Sequence, residues 1–554
     1  MKSMTLRPVL GTIVTVASLV LLYLALVVPD TVVRHKTGAW VPGAYLRVPM
    51  ELIVAGAVVL ALPGRWRKPV AALFGFGFGV IAVLKVANMG FLLVLGRRFN
   101  PVLDVTLFKD GYNAFTETDG KTKANLAVAG AILLALAVLS LATLAAVRLA
   151  TVTARHAQPT RRALVALSAV WLALALSGVS LFPNNPVASD SAAALAKSTA
   201  KQVPAAIRDQ RQFAEASRND PFRSVAPADR VAGLKGKDVI LGVVESYGRS
   251  SLEDPGMSAI VTPMLKADEA KLAAAGFSAK SGFLTSSTYG GGSWLGHSTF
   301  QTGLWIDSQP RYRQVTAGDR ITLTSTFHDA GWHTVGMEPG NTTAWPEASF
   351  YKYDTVYDSR NLAYRGPRFG WSRMPDQYLL SQFQQNVYAK RTGPLMAELT
   401  FTSSHEPWTP LPQTVDWAAV GDGSVYGPMA KQGPSRGTLW QDATATQAAY
   451  AKSIAYSVDN FITWATTYGD PNLVLVMFGD HQPVSLVSGN GASHDVPVTI
   501  IAHDKRVLDR IAGWSWQDGL KPAPDAPLWR MDEFRDRFFT AFGTQSTVAL
   551  GKAH

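Results

Sequence analysis

Acid, imidazole and hydroxyl side chains recur where apolar runs stop. Glu245-Ser246 follows Val239–Val244, and Glu338 follows His333–Met337. Thr402–Trp408, with His405, follows Leu395–Phe401, and Asp480-His481 follows Leu473–Phe478. Glu245, Asp480 and His481 form an O,O,N donor set of the kind that holds one divalent metal ion, Mn²⁺ or Zn²⁺. A fourth ligand is available in Gly290-Gly291-Gly292-Ser293. Three glycines permit unusual backbone angles. A hydroxyl at the start of a helix sits where backbone N–H groups favour an anion, and metal contact would make it an activated nucleophile. Each residue alone also reads as a cap, a salt-bridge partner or part of a plain glycine turn. Their repetition at strand ends is what points to a shared site.

His405 and His494 stand nearby in sequence pattern, His494 just ahead of the run Val496–Ala502. Either could ligate a metal, hydrogen-bond an anionic substrate, protonate a leaving group, or be a satisfied loop histidine. His328, His333 and His503 read as structural, and His297 is open. The chain has no cysteine. That excludes disulfides, a thiolate nucleophile and Cys-ligated zinc.

The elements that must position these groups are short apolar runs alternating with helical stretches from about Asp238 onward. This is the texture of an α/β domain with a largely parallel sheet. Strands buried on both faces read as continuous apolar runs, and in such sheets ligands sit at the carboxyl ends of the strands. The expected catalytic domain is 238–510, with 511–554 as its C-terminal extension. Pro183–Lys237, Ala-rich and charged, reads as a helical linker.

Before it lies a different chemistry. Val9–Val28, Tyr45–Leu62, Pro69–Leu95, Leu126–Val147 and Ala163–Phe182 give about five candidate membrane spans within residues 1–182. The second is short and holds Arg47, Pro49 and Glu51. Lys85 and Asn88 in the third read as interhelical contacts or as part of a substrate path. Arg65, Arg67, Lys68, Arg148, Arg155, Arg161 and Arg162 fall in segments on one side with no acid among them. The positive-inside rule then puts the N-terminus in the cytoplasm and everything after Phe182 outside the plasma membrane. The whole chain carries a net charge of +11. Residues 1–182 hold 18 basic and 6 acidic residues, and the remainder 34 and 35. The basic excess therefore belongs to the membrane region, where lipid surface explains it and nucleic acid does not.

Taken together, Glu245, the glycine loop with Ser293, His405 in "SSHEPW" and Asp480-His481 in "FGDHQP" resemble the alkaline phosphatase/sulfatase superfamily. With its membrane spans, the chain is similar within that superfamily to the lipoteichoic acid synthases (phosphoglycerol transferases) and to the phosphoethanolamine transferases. The resemblance implies Glu245, Ser293, Asp480 and His481 around one Mn²⁺ or Zn²⁺. It implies substrate contacts from His405, Trp345 and His494, with Glu338 in the same pocket. It also implies a membrane phospholipid as donor and an envelope glycan, a lipid or water as acceptor.

Three departures stand out. The nucleophile is Ser where the synthases have Thr. Glu338 and Glu347 stand where the synthases carry His and Arg, which weakens a phosphoglycerol reading. No Cys/Ser-x-Pro-x-Arg motif is present at Ser293, so sulfate-ester hydrolysis is not expected. The expected function is a metal-dependent phosphotransferase working through a phospho-serine. The alternatives are a phosphodiesterase or phosphatase using water, and an inactive membrane-anchored binding protein.

Overall fold

In the computed structural model the chain divides into two units, Met1–Leu93 with Arg97–Arg208 and Val94–Gly96 with Asp209–His554. The structure describes residues 6–28, 45–95, 97–105, 107–182 and 185–544. Lys2, the first two residues of the expected linker and residues 545–554 of the expected extension lie outside them.

Among the described residues of the first unit, four helices are long and apolar enough to cross a membrane: Val9–Val27, Gly64–Val94, Lys121–Arg155 and Ala157–Ser177. The second expected span differs. Its helix, Met50–Ala61, has 12 residues, about 18 Å of rise against about 30 Å of hydrocarbon. Glu51 near its start is engaged by the Ala193 backbone N–H (2.8 Å), so the apolar run cannot extend upstream. Close helix approach comes from small residues: a Cβ added at Gly75 would lie 2.6 Å from the Ala142 carbonyl oxygen. Lys85 donates to the Leu26 carbonyl (2.5 Å), in the last turn of a helix that ends at Val27, where carbonyls lack intrahelical partners. It is the interhelical contact that its position suggested.

The second unit is built on a nine-stranded sheet. Its strands are β1 (Asp238–Val244), β2 (Ser278–Thr285), β3 (His333–Glu338), β4 (Thr355–Asp358), β5 (Leu395–Phe401), β6 (Leu473–Gly479), β7 (Asp495–Ala502), β8 (Gln517–Asp518) and β9 (Leu528–Arg530). The order is β8-β2-β7-β6-β1-β5-β3-β4, with β9 on β2. β6, β1, β5, β3 and β4 are mutually parallel. β7 runs antiparallel to both β6 and β2, so the sheet is mixed at that edge. All five expected runs are strands; β2, β4, β8 and β9 were not anticipated.

Side chains alternate between two cores, as the pleat requires. Val239, Leu241 and Val243 face one and Ile240 and Val244 the other; Val474, Val476 and Phe478 alternate likewise with Leu473, Leu475 and Met477. Burial on both faces is why these strands carry no polar alternation. On one face the Phe300 ring is stacked between Phe478 (3.8 Å between centroids) and Phe534 (4.2 Å). That stack seats the helix Ser293–Thr302 on the sheet.

The long helix Ser191–Arg218 runs through the expected linker, and the segment after it is tied to the far end of the chain. Asp220 accepts from Arg535 (2.7 Å) and pairs with Arg320 (3.1 Å), all three side chains being buried. Burial pushes its carboxyl up, but the two guanidiniums outweigh this and hold it below the usual carboxylate range. Its stabilisation is therefore present at neutral pH and lost as pH falls through that lowered value. Asp220→Ala would strand two buried cations. Removing one partner of such a cluster costs about 3–5 kcal/mol, so the unfolding midpoint read by near-UV circular dichroism should drop markedly; an unshifted midpoint would contradict this account.

Candidate active site

β1, β3, β5 and β6 end on one edge of the sheet, and each ends in a candidate residue. Glu245 follows β1, Glu338 closes β3, His405 lies in the loop after β5, and Asp480-His481 follow β6. Antiparallel β7 begins where β6 finishes, Phe478 pairing with Val498. His494 therefore reaches the same edge from the opposite chain direction. Thr285, the last residue of β2, leads into the glycine loop there too.

Gly290, Gly291 and Gly292 all have positive φ (68°, 152° and 81°), angles closed to most L-residues. The loop delivers Ser293 to the first position of its helix, with Gly292 as N-cap. Gly479 allows a close backbone approach. It lies within β6, and a Cβ there would sit 2.0 Å from the Tyr247 carbonyl oxygen. The close approach lets the chains after β1 and β6 meet: the Ser246 and His481 backbone N–H groups both donate to Asp480 Oδ1 (2.7 and 2.8 Å).

Ligand atoms of Glu245, Asp480 and His481 lie within 4.8 Å of one another, and all three residues are buried. The Ser293 hydroxyl donates to Glu245 Oε2 (2.9 Å) and lies 3.2 Å from His481 Nε2. His481 Nδ1 is 2.8 Å from the Gln482 carbonyl. A carbonyl only accepts, so Nδ1 carries hydrogen and Nε2 is the free ligand atom. Nε2 is 3.4 Å from Glu245 Oε1 and 3.5 Å from Asp480 Oδ2.

The electrostatics call for positive charge. Burial pushes Asp480 up, and the Glu245 charge adds to it. Burial also acts to raise Glu245, but His481 and His405, with the Ser246 and Ser293 hydroxyls, hold it low. His481 is lowered by burial and raised more strongly by Asp480 and Glu245. Asp480 Oδ2 is buried with no hydrogen-bond donor, which is costly for a carboxylate unless a cation meets it. A divalent ion suits this donor set: two carboxylates, a hydroxyl and an imidazole nitrogen.

The other expected residues lie outside this cluster. His405 is half-buried, stacked on Trp371 (4.1 Å between centroids), with Nδ1 2.8 Å from the Glu406 carbonyl. His494 packs on Tyr289 (5.3 Å) and is not one of the three clustered ligands. Trp345 donates to the Tyr312 hydroxyl (3.2 Å) and packs by Tyr351 and Tyr353. Glu338 accepts from Thr400 (2.8 Å). Sequence reasoning missed Glu398, although an acid inside the apolar run of β5 was a usable signal. His297 was left open, yet its i,i+4 spacing from Ser293 places both on one helix face.

Residues 237–500 match the sulfatase family model. No curated protein matches. Among solved structures, the chain is similar to the lipoteichoic acid synthase LtaP of Listeria monocytogenes (14% identity, 57% of this chain and 76% of that one, TM-score 0.37). It is similar to the phosphoglycerol transferase GacH of Streptococcus pyogenes (12%, 60% and 90%, TM-score 0.34). It is also similar to the C-terminal periplasmic domain of EcEptC of Escherichia coli (12%, 56% and 82%, TM-score 0.37). At such identities these neighbours say nothing of substrate.

Proposed function

From the sulfatase family match over residues 237–500, we propose that the chain is a membrane-anchored phosphotransferase acting on lipid phosphodiester headgroups. The observation that carries this reading is the Ser293 hydroxyl, 2.9 Å from Glu245 and 3.2 Å from His481 Nε2 in a cluster that favours positive charge. Glu245, Asp480, His481 and Ser293 would hold one Mn²⁺ or Zn²⁺. When bound, the ion supplies charge that acidifies the hydroxyl and offsets the phosphoryl oxygens.

The chain's own residues do the rest. Ser293 presents its oxygen to phosphorus at a helix start, where backbone N–H groups favour the anion. The Oγ–P bond forms as the headgroup's P–O ester bond to the lipid breaks. In this reading His405, stacked on Trp371, gives the departing lipid alkoxide its proton, and His494 and Trp345 are proposed further substrate contacts. Attack on the phospho-serine by a glycan, lipid or water hydroxyl then frees Ser293. Phosphoglycerol and phosphoethanolamine are the proposed headgroup classes, as the resemblance of the sequence motifs implies.

We place the domain outside the plasma membrane. Arg65, Arg67 and Lys68 start one long helix, and Arg148, Arg155, Arg161 and Arg162 flank the junction of the next two. With those ends cytoplasmic, Ala157–Ser177 delivers the chain outward. Arg7 supports a cytoplasmic N-terminus. Mass spectrometry of products from a headgroup-labelled glycerophospholipid tests the reaction. Label on a glycan or second lipid supports transfer, free headgroup supports the hydrolase alternative, and an unaltered donor sinks both.

A further inference from the structure

One turn along the helix from Ser293, His297 meets two acids that the chemistry above does not use. Ligand atoms of His297, Glu338 and Glu398 lie within 4.8 Å of one another. The acids share a sheet face by register: β3 and β5 are parallel with Gly336 opposite Glu398, so Glu338 lies two residues further along on the same side. Their surroundings are unequal. Glu398 is deeply buried and accepts from Gln301 Nε2 and the Tyr353 hydroxyl on one oxygen, with His297 Nδ1 3.5 Å from the other. Glu338, half-buried at the strand's end, accepts from the Thr400 hydroxyl. A half-buried and a buried carboxyl this close disfavour ionising together.

We propose that Glu398 keeps Glu338 as a neutral carboxylic acid, and that Glu338 donates its proton in a hydrogen bond to the anionic phosphodiester bound beside Ser293. This rests on the phosphodiester reading above. It also removes the objection that an acid at this position must repel phosphate. Burial, with the charge of Glu398 added, pushes Glu338 up to about 8. Burial raises Glu398 too, but its Tyr353 and Gln301 donors oppose the rise, so the shared proton rests on Glu338. The other groups facing it stay neutral. Burial lowers His297 to about 4, raises Tyr312 to about 12 and raises Tyr351 and Tyr353 well above the phenol range. The donor is therefore present below about pH 8 and lost above it.

The test uses the full-length, metal-loaded protein. Infrared difference spectra between wild type and Glu338→Gln should show a carboxylic-acid carbonyl band at neutral pH that disappears as pH passes about 8. Absence of that band overturns the proposal whether or not the protein is an enzyme. Two divalent ions per wild-type chain, falling to one in Glu338→Gln, would also overturn it, the cluster then being a cation site. Turnover of bis(p-nitrophenyl) phosphate, a monoanion throughout, reads the role. Wild-type kcat/KM should fall about tenfold per pH unit above the transition. Glu338→Ala should lose about tenfold at neutral pH, with much of that restored, and the alkaline fall removed, in Glu338→Gln, whose amide still donates. Equal pH profiles in wild type and Glu338→Gln would refute the donor. If wild type turns nothing over, the phosphodiester reading fails, and calorimetric binding of the same probe, read for the same pH and variant pattern, decides on Glu338.

Discussion

Ser293→Ala should lower turnover of a phosphodiester by about a thousandfold or more, the scale of losing a nucleophile, while leaving the fold intact. The reason for separating the two effects is structural. The N-cap of the Ser293 helix is Gly292, and no side-chain cap bond is made there, so removing the hydroxyl costs no helix cap. What disappears is the oxygen bonded to Glu245 and set against His481. The substituted protein should keep its near-ultraviolet circular dichroism and its bound metal, because the two carboxylates and the imidazole remain. A chromogenic phosphodiester assay beside metal analysis checks both. Ser293→Thr should retain part of the activity, since it keeps the hydroxyl. Wild-type rates in Ser293→Ala would eliminate the phospho-serine route.

Asp480→Asn is the sharper probe of the metal. An amide oxygen can still accept the Ser246 and His481 N–H groups that now bond Asp480 Oδ1, so the junction of the β1 and β6 loops is preserved. What changes is Oδ2, buried without a donor and 3.5 Å from His481 Nε2. Losing a supporting partner of a ligand costs about 10–100-fold in metal affinity; losing a charged ligand should cost at least about 100-fold, with turnover falling in step. Elemental analysis after dialysis against a weak chelator measures it. Stoichiometric metal in Asp480→Asn would remove Asp480 from the ligand set. A wild-type protein that binds none would favour the inactive binding-protein alternative.

The legibility of this protein is uneven. Asp480-His481 and Glu245 could be found from sequence because a strand buried on both faces leaves its first polar residue at the sheet edge. The glycine loop was readable because positive φ at three successive residues has a compositional signature. The long apolar helices were equally plain, whereas Met50–Ala61 matched a span in composition but has only 12 residues. Glu398 stands out in sequence only as an acid inside an apolar run, a signal that does not name its partners. Its partners Gln301, Tyr353 and Glu338 come from three other elements.

Composition and periodicity alone determined that apolar helices precede an α/β domain, that no thiol chemistry is available, and that acids and histidines close several strands. Those are local properties, set by hydrophobic runs and by the residue that interrupts each one. Only the tertiary structure decided that β7 runs against β6, which carries His494 to the same edge, and that Gly479 packs on the Tyr247 carbonyl. It alone set His297 and Glu398 beside Glu338. Strand order, direction and side-chain partnership depend on pairings between residues far apart in the chain, and no local pattern encodes them.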